Sequence, residues 1–344
     1  MRVMITGGTG FIGYHTAQAL MDAGHEVSLL VRSVDKMYKL FGEGRIAYYT
    51  RGDIVDADKV RQAMTDCDAV IHVAALVSTH AKDAQKVYNT NVQGTKNVIG
   101  TALELGMEAI IHVSSVTALY NPRATVLDED SPPGNAASGY GRSKVACEKY
   151  VRALQDAGEP IYITYPATVM GPDDPGLTEA HLGMRTYLSH FVPVMSSGNQ
   201  YVDVRDIAQV HLALLQQQPP AGRYVLGGHY LPWVELGGLL DDLTGRKLRR
   251  LKLNGAAMRL VGKACDRIGP WFNMEVPMTE EAMGYATRWV PMDNSKVERE
   301  LAFTFRPLRD TLADTIHWLY TCLLYTSPSP RDQRPISYAV FCLK

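Results

Sequence analysis

The chain has 344 residues, 46% of them hydrophobic and 21% charged, which are ordinary values for a globular protein with a full hydrophobic core. Its formal net charge of −1 excludes a strongly basic surface, so we expect no nucleic-acid partner. The five cysteines and ten histidines show no metal-ligand spacing, which predicts no metal site and reduced thiols in the cytoplasm. The first strand starts beside Met1, without room for a signal peptide, and no apolar run has the length of a membrane span.

Residues 1–13 read MRVMITGGTGFIG, which predicts a strand, a glycine-rich turn and a helix. Val3 to Ile5 is the buried strand, and the helix begins at Phe11. Gly7 allows the tight turn, Gly10 lets phosphates approach the backbone, and Gly13 lets the helix pack closely. This arrangement directs backbone N–H groups and a helix N-terminus at a pyrophosphate. The stretch therefore predicts a dinucleotide-binding site.

The second predicted strand, Glu26 to Val31, ends at the position that selects between the two nicotinamide dinucleotides. An NAD-specific site needs an acidic residue there, whereas this chain has Arg32 followed by Ser33. A guanidinium suits the 2′-phosphate of NADP, and a hydroxyl adds a hydrogen bond. Arg32 is otherwise a solvated loop residue, and the nearby Asp35 keeps NAD open. We therefore favour NADP(H), with NAD(H) as the alternative.

Strands and helices continue to alternate up to residue 168. The further predicted strands are Ile46–Tyr49, Ala69–Val73, Ile110–Val113 and Ile161–Tyr165. The predicted helices between them start near Asp56, span Asp83–Leu105, and span Ala137–Ala157 with Ser138 as a candidate cap. Strands that alternate with helices at this spacing form parallel sheets. We therefore predict an α/β fold with a Rossmann-like, doubly wound parallel sheet.

Some residues at strand ends and inside helices are candidate cofactor contacts. Asp53 follows the third strand and either accepts a hydrogen bond from an adenine amino group or caps the next helix. Ala74 and Ala75 are small enough for a ribose to lie against the end of the fourth strand. Asn91 is costly inside a helix unless its amide has a partner. That partner is either a water that links Lys144 to solvent or a buried structural group.

Tyr140 and Lys144 lie at i and i+4 in the run Tyr-Gly-Arg-Ser-Lys, hence on one face of the predicted helix. A phenol has a pKa of about 10 in water, so acid–base work near neutral pH needs positive charge beside it. Lys144 and the helix N-terminus supply that charge. Ser115 ends the preceding strand and can donate to a substrate oxygen. Ser114 is the alternative donor, because neighbouring strand residues point to opposite faces.

The sequence pattern changes after Pro172. Residues 173–200 are rich in proline, glycine and serine with weak periodicity, which is typical of a lid or pocket wall. Regular elements are then predicted within Tyr201–Leu215, and at Arg223–Leu226, Val234–Thr244, Ala256–Ile268, Ser295–Leu301 and Leu308–Tyr320. In the helix at 256–268 we expect apolar residues such as Leu260 and Val261 in the core and a solvated cationic face. A helix lying on a membrane surface is the alternative.

Residues 322–344 have a different character and read CLLYTSPSPRDQRPISYAVFCLK. Pro328, Pro330 and Pro335 prevent a helix from continuing. The run resembles the translation of a sequencing adapter. We therefore expect a non-native read-through tail, and a disordered tail with an apolar patch is the alternative.

Motifs spread over residues 1–320 resemble those of the extended short-chain dehydrogenase/reductase family, in its NAD-dependent epimerase/dehydratase and dihydroflavonol-4-reductase-like branch. These motifs are TGGTGFIG, GDIVD, HVAA, NVQGTKNV, HVSS, YGRSK and PATVMGP. The resemblance implies a Rossmann domain of residues 1–168 with 201–222, and a substrate-binding lobe of residues 169–200 and 223–321. It also implies a homodimer through the helices that carry Asn91 and Tyr140.

The same resemblance implies residue roles. It implies that Gly7, Gly10 and Gly13 bind the pyrophosphate and that Arg32 binds the 2′-phosphate. Asp53 and Ile54 would contact the adenine, Ala74 the ribose, and Val169 the carboxamide edge of the nicotinamide. The whole implied cofactor-binding set is Gly7, Thr9, Gly10, Phe11, Ile12, Gly13, Arg32, Asp53, Ile54, Ala74, Ala75, Asn91, Lys144, Pro166 and Val169. The implied catalytic set is Ser115, Tyr140 and Lys144.

These observations predict an NADP(H)-dependent oxidoreductase that interconverts a ketone and a secondary alcohol on a hydrophobic small molecule. One alternative is a nucleotide-sugar epimerase or dehydratase with tightly bound NAD. Such enzymes usually carry asparagine and arginine residues after the PxxVxGP stretch to grip a diphosphate, and residues 173–200 offer only Arg185. A second alternative is a non-catalytic NADP-sensing protein, against which the retained Tyr140 counts.

Overall fold

A computed structural model describes residues 1–78, 81–272 and 279–325. Its strands, in chain order, are β1 (Arg2–Thr6), β2 (Glu26–Val31), β3 (Tyr48–Arg51), β4 (Ala69–His72), β5 (Ala109–Val113), β6 (Ile161–Pro166), β7 (Thr168–Met170), β8 (Val192–Val194), β9 (Gly198–Asp203), β10 (Arg223–Leu226), β11 (His229–Pro232) and β12 (Arg250–Lys252). Its α-helices are α1 (Phe11–Asp22), α2 (Val34–Phe41), α3 (Ala57–Met64), α4 (Ala84–Glu104), α5 (Gly139–Asp156), α6 (Glu179–Ser189), α7 (Val204–Gln217), α8 (Trp233–Thr244), α9 (Gly255–Phe272), α10 (Glu280–Thr287), α11 (Ser295–Glu300) and α12 (Leu308–Tyr325).

A seven-stranded parallel sheet forms the larger part of the fold, in the order β3-β2-β1-β4-β5-β6-β10. Every residue of β4 and β5 is buried, as expected of parallel strands that helices cover on both faces. The strand order reverses between β1 and β4, and such a reversal opens a crevice at the carboxyl ends of the strands. The predicted α/β, doubly wound fold is confirmed.

A smaller lobe packs beside this sheet. It contains a mixed sheet in the order β11-β9-β7 and a parallel pair of β8 with β12. Its separate core includes Met184, Trp233, Leu236, Leu240 and Leu312. Because these side chains are buried among themselves rather than in the sheet core, the lobe has its own hydrophobic centre.

The chain passes between the two sheets three times. Only Ala167 separates β6 of the large sheet from β7 of the small one. After β9, helix α7 packs against α1 and leads back to β10 at the edge of the large sheet. Gly227 and Gly228 then connect β10 to β11, and Gly228 has a φ of +62° that suits this sharp turn.

Several predicted boundaries differ from the structure. The third strand was predicted at Ile46–Tyr49, but backbone pairing with β2 begins only at Tyr48, opposite Ser28. Ile46 is buried ahead of the strand and supplies the apolar signal that shifted the prediction. Helix α2 was not predicted, although Ser33 caps it by accepting a hydrogen bond from the Lys36 backbone N–H at 3.2 Å.

The segment 173–200 is more regular than predicted. It contains helix α6, which buries His181, Met184 and Leu188 at helical spacing. It also contains β8, which pairs with the distant β12. Gly183 inside α6 and Pro193 in the middle of β8 weakened the sequence signals for these two short elements.

Helix α9 does not present the predicted faces. Leu260 is 70% exposed and Val261 is 44% exposed, whereas Met258 is buried. Arg259, expected in solvent, is half-buried and donates a hydrogen bond to the Thr287 hydroxyl at 2.7 Å. The prediction of a core-packed face at Leu260 and Val261 is therefore wrong.

The last helix, α12, continues through Tyr325, beyond its predicted end at Tyr320. Most of the predicted read-through tail, residues 326–344, lies outside the described residues. In the described ranges, none of the helices is both long enough and apolar enough to cross a lipid bilayer.

Candidate active site

A cavity of about 740 Å³ lies where the strand order reverses, at the carboxyl ends of β1, β2, β4 and β5. This size is typical of small-molecule sites. The predicted site residues that line it are Gly7, Thr9, Gly10, Phe11, Ile12, Arg32, Asp53, Ile54, Ala74, Ala75, Tyr140, Lys144 and Val169. Its lining does not include the predicted residues Gly13, Asn91, Ser115 and Pro166.

The turn between β1 and α1 has the shape that a pyrophosphate requires. Gly7 has a φ of +73°, and a Cβ atom there would lie 2.8 Å from the Ala74 backbone nitrogen. The Gly10 N–H donates to the Gly7 carbonyl at 2.9 Å, and a Cβ at Gly10 would contact only that carbonyl, so Gly10 is otherwise open to the cavity. A Cβ at Gly13 would overlap the Gly7 carbonyl oxygen, so Gly13 lets α1 start directly against the turn. The cradle therefore fits the phosphates of a dinucleotide.

The end of β2 places two cations at the cavity. Arg32, Ser33 and Lys36 line it, and Asp35 does not. Sequence reasoning found Arg32 but missed Lys36, because α2 was read as a loop. The Ser33 cap and the apolar spacing of Met37 and Phe41 within α2 were the available signals.

Asp53 and Ile54 form the wall beyond β3. Asp53 accepts a hydrogen bond from the Val55 N–H at 3.2 Å, while Asp56 is the residue that caps α3. The helix-capping alternative for Asp53 is therefore wrong. A Cβ at Gly94 of α4 would overlap the Ile54 side chain, so the glycine leaves room for Ile54 to pack against α4.

A hydrogen-bond chain fixes the end of β4 next to the cavity. The Ala74 N–H donates to the Thr6 hydroxyl at 3.2 Å, and that hydroxyl lies 2.7 Å from Nδ1 of His72. Nε2 of His72 lies 3.1 Å from the Thr95 hydroxyl, which donates to the Cys147 sulfur. These directions make Nε2 the protonated nitrogen of a neutral ring. Burial lowers the pKa of His72 to about 3, so it is a structural residue.

Asn91 joins the cavity wall to α5. Its Oδ1 accepts from the Leu76 N–H at 2.7 Å, and its Nδ2 donates to the Leu76 carbonyl at 3.0 Å and to the Ser143 hydroxyl at 2.9 Å. Leu76 lines the cavity. Because both amide hydrogens have protein acceptors, the geometry matches the structural alternative for Asn91.

Lys144 and Tyr140 lie together on the cavity side of α5. Lys144 is only 6% exposed, and its Nζ donates to the Val113 carbonyl at 3.2 Å and to the Ser114 carbonyl at 3.4 Å. Nζ lies 5.9 Å from the centre of the half-buried Tyr140 ring. The ammonium is therefore held at the end of β5 with one N–H still available for a ligand.

The two serines after β5 have different partners. The Ser114 hydroxyl donates to the fully buried Glu148 carboxylate at 2.7 Å, and this carboxylate also accepts from the Tyr165 hydroxyl at 2.6 Å. The Ser115 hydroxyl accepts from the Thr117 N–H at 3.2 Å, which leaves its own proton free to donate. Ser114 lines the cavity but has donated its proton, whereas Ser115 keeps its proton in the described hydrogen bonds but is not a lining residue, so the choice of Ser115 as donor to substrate stays a prediction.

The segment after β7 forms the opposite wall and is held by a buried pair. Nε2 of His181 donates to the Gly171 carbonyl at 2.8 Å, and its Nδ1 lies 3.0 Å from the Asp174 carboxylate. Burial alone would raise the pKa of Asp174, but the His181 contact and two backbone N–H donors lower it overall. Residues 177–180 then line the cavity and add the carboxylate of Glu179, with no cation.

Helix α10 brings a further aromatic residue to the catalytic end. Tyr285 lies beside Thr117 and Tyr140, and its ring packs on that of Tyr120 with 4.3 Å between the ring centres. Burial raises the pKa of Tyr285 well above its usual range. Sequence reasoning missed this residue, because nothing in a single sequence relates position 285 to position 140.

Comparison with known proteins shows the family to which the chain belongs. The model of the NAD dependent epimerase/dehydratase family matches residues 3–227. The "Putative dihydroflavonol 4-reductase" of Synechocystis sp. is 30% identical over 329 residues, which cover 91% of this chain and 93% of that protein. "Sterol demethylase protein B" of Methylococcus capsulatus is 26% identical over 92% of this chain and 98% of that protein.

Solved structures extend the similarity over the whole fold. The structure of gox2253 aligns with a TM-score of 0.78 at 27% identity, over 93% of this chain and 98% of that one. UDP-glucose 4-epimerase from Bifidobacterium longum, solved with NAD+ and UDP, has a TM-score of 0.70 at 19% identity, over 93% and 98% of the two chains, and shows the shared fold. The family match, together with the glycine cradle and the Tyr140–Lys144 pair, shows that the chain is an enzyme of the NAD-dependent epimerase/dehydratase family, the extended short-chain dehydrogenases/reductases.

Proposed function

We propose that the protein is an NADP(H)-dependent reductase that interconverts a ketone and a secondary alcohol on a hydrophobic small molecule. The observation that carries the proposal is the distribution of charge along the cavity. Among the described lining residues the cations are Arg32, Lys36 and Lys144. Arg32 and Lys36 lie where a 2′-phosphate would sit, and Lys144 lies beside Tyr140.

The substrate side of the cavity favours an uncharged ligand. Its described lining from residues 177–180 contains Leu177, Ala180 and the carboxylate of Glu179, and no arginine or lysine. The diphosphate of a sugar nucleotide would meet Glu179 without a compensating cation. The curated relatives include reductases, among them the Synechocystis protein, and also UDP-glucose 4-epimerases. The charge pattern favours the first group.

In the proposed mechanism, the glycine turn and Lys144 would hold a nicotinamide dinucleotide, which would supply the hydride chemistry at the substrate carbon. Tyr140 holds the proton that is transferred to or from the substrate oxygen. Lys144, fixed by the Val113 and Ser114 carbonyls, places positive charge beside the phenol and keeps one N–H for the ribose. Ser115 donates its free proton to the same substrate oxygen and stabilises charge that develops there.

The test begins with titration of the purified enzyme with NADPH and NADH, followed by a panel of ketones and secondary alcohols. We expect tighter NADPH binding and measurable turnover of apolar carbonyl compounds. Arg32→Asp should weaken NADPH binding about ten- to a hundredfold, because a charged hydrogen bond to the 2′-phosphate is lost. It should also reverse the cofactor preference, because a carboxylate at this position can accept hydrogen bonds from the ribose hydroxyls of NADH. Lys39→Asp is the matched control, since Lys39 lies on α2, shortly after Arg32 in the chain, and outside the cavity lining.

Three outcomes would overturn the proposal. Equal affinity for the two cofactors in both the wild type and Arg32→Asp would remove the NADP assignment. NAD that stays bound through purification, with epimerisation of a sugar nucleotide and no net cofactor consumption, would establish the epimerase alternative. Absence of turnover with any carbonyl, alcohol or sugar nucleotide, together with firm NADPH binding, would indicate the sensing alternative.

A further inference from the structure

A carboxylate from the small lobe lies on the first turn of the catalytic helix. Glu281 of α10 accepts hydrogen bonds from the backbone N–H groups of Ala137, at 2.7 Å, and Ser138, at 2.6 Å. It also accepts from the Ser138 hydroxyl at 2.8 Å. Ser138 is the N-cap of α5, and its hydroxyl oxygen accepts from the Gly141 N–H at 2.9 Å. The cap of the catalytic helix is thus completed by a residue about 140 positions away in the chain.

The sequence of α5 leaves room for this contact. A Cβ at Gly141 would lie 2.7 Å from Oε1 of Glu281 and 2.5 Å from the Ala136 Cβ. Gly141 is the glycine of the Tyr-Gly-Arg-Ser-Lys run, so the residue that follows Tyr140 is small where the carboxylate approaches. Glu281 can therefore approach the first turn of α5 because Gly141 has no side chain.

The charge of Glu281 acts on the same turn that carries Tyr140. A helix N-terminus stabilises an anion, which explains why the carboxylate binds there. Tyr140 is also faced by Lys144 from its own helix and by Tyr285 from α10, one turn after Glu281. The turn that carries Tyr140 is therefore bounded by the ammonium of Lys144 on one side and by the carboxylate of Glu281 on the other.

We propose that Glu281 is a positioning residue of the active site: from α10 it holds the first turn of α5 and so fixes Tyr140 relative to Lys144 and the substrate lobe. The inference rests on the proposed role of Tyr140 in proton transfer. It makes α10 the element through which the small lobe and the catalytic helix are joined, so the proton donor is aligned only when the lobe is in place.

The first test separates geometry from charge. Glu281→Ala removes both, and we expect kcat to fall about ten- to a hundredfold with little change in NADPH affinity, because a displaced proton donor lowers the rate of the chemical step. Glu281→Gln keeps an acceptor oxygen but loses the charge. We expect a smaller loss of kcat than for Glu281→Ala, because an amide oxygen can still accept from the Ala137 and Ser138 N–H groups.

A second variant tests the contact without changing the acid. Gly141→Ala should displace the carboxylate and reproduce the loss of kcat seen in Glu281→Ala. Glu298→Gln on α11 is the control for a change of charge, since Glu298 is exposed and α11 packs against β10. Circular dichroism and thermal unfolding of each variant show whether the fold is kept.

The outcomes separate this inference from the proposed function. If Tyr140→Phe is inactive but Glu281→Ala and Glu281→Gln have the same kcat as Glu298→Gln, the role of Glu281 alone is overturned. Active Tyr140→Phe would overturn the proposed function first. Loss of NADPH affinity in parallel with kcat for Glu281→Ala would show a general structural role and would also count against the inference.

Discussion

At the scale of single residues, the active site depends on how few hydrogen-bond donors are left uncommitted. The side chains of Asn91 and Ser114 both have hydrogen-bond partners inside the protein. Ser115 keeps its proton, and Lys144 keeps one N–H beyond the two that the β5 carbonyls accept. In the described hydrogen-bond network the Tyr140 hydroxyl has no partner, while its ring faces the cavity. These are the groups that remain for a substrate and a cofactor.

Tyr140→Phe tests the central residue. We expect turnover to fall about a hundred- to ten-thousandfold, because the proton donor is lost, while NADPH affinity stays nearly the same. Steady-state kinetics with an accepted carbonyl compound and a fluorescence titration with NADPH measure the two quantities. Tyr230→Phe, at an exposed tyrosine of β11, serves as the control. Turnover within a few-fold of the wild type would exclude Tyr140 as the proton donor.

At the scale of elements, helix α5 is held to the sheet by a buried ionic network. Glu148 is fully buried and binds Arg152 on its own helix, Tyr165 of β6 and Ser114 after β5. Arg152 is 8% exposed and also donates to the Ser131 carbonyl at 2.9 Å. The network holds the middle of α5 against the end of β5, next to the carbonyls that hold Lys144.

Glu148→Gln should lower the free energy of unfolding by about 3–5 kcal/mol, because it leaves the buried guanidinium of Arg152 without a counter-charge. Urea unfolding measures the change. Asp156→Asn is a matched control on the same helix: Asp156 pairs with Arg223 at 3.2 Å at the surface, and we expect a cost below about 1 kcal/mol. Equal costs for the two variants would contradict a special role of the buried network.

How much of the fold could be predicted depended on the length and burial of each element. The strands β1, β2, β4, β5, β6 and β10 were predicted because they are continuous apolar or β-branched runs. The Ser138 cap of α5 was predicted from the residue type and is confirmed by its bond to Gly141. Short elements such as α2, β8 and α10 were missed, because a few residues carry too little periodicity.

The site was predictable where its residues fall in local motifs. The glycine turn and the Tyr140–Lys144 pair could be read from spacing alone, and the structure brings both to one cavity. Glu281 and Tyr285 could not be found this way, because their contacts with α5 exist only after the small lobe has packed on the sheet. The exposed face of α9 was misjudged for a related reason, since amphipathic spacing does not show which face has a partner.

At the scale of the whole molecule, buried ionisable groups set the pH range of stability. Burial lowers the pKa of His72 and of His211 to about 3, and that of His112 well below its usual value. Below the unfolded value of about 6.5, the unfolded chain binds protons that these folded residues do not. The stability that they contribute at neutral pH is therefore lost as the pH falls. Asp206 acts in the opposite direction below about 6, since burial raises its pKa to about 6.

We expect the free energy of unfolding to decrease from about pH 7 to about pH 5, with each buried histidine adding up to about 1.4 kcal/mol per pH unit. Urea unfolding at several pH values measures the slope. His211→Asn should reduce the slope of the unfolding free energy against pH by the contribution of one histidine, even if it also changes the stability at neutral pH. Asp206→Asn should make the slope steeper. Identical unfolding free energies at the two ends of this range would contradict the prediction.

The family resemblance also implies a homodimer, which stays a prediction. The outward side of α4 carries polar pairs, in which Gln85 donates to Asn89 at 2.7 Å and Gln93 to Asn97 at 2.8 Å. An interface on this side would be polar and wet rather than a divided hydrophobic core.

The three passages of the chain between its sheets have a practical consequence for protein engineering. Because β10 completes the nucleotide-binding sheet only after the chain has built β7 to β9, no single cleavage point yields an intact cofactor module and an intact specificity module. Exchanging substrate preference with a homologue by swapping one contiguous fragment would sever the edge strand from its neighbours. Grafts confined to surface loops, or recombination at several junctions at once, are the routes that this topology leaves open.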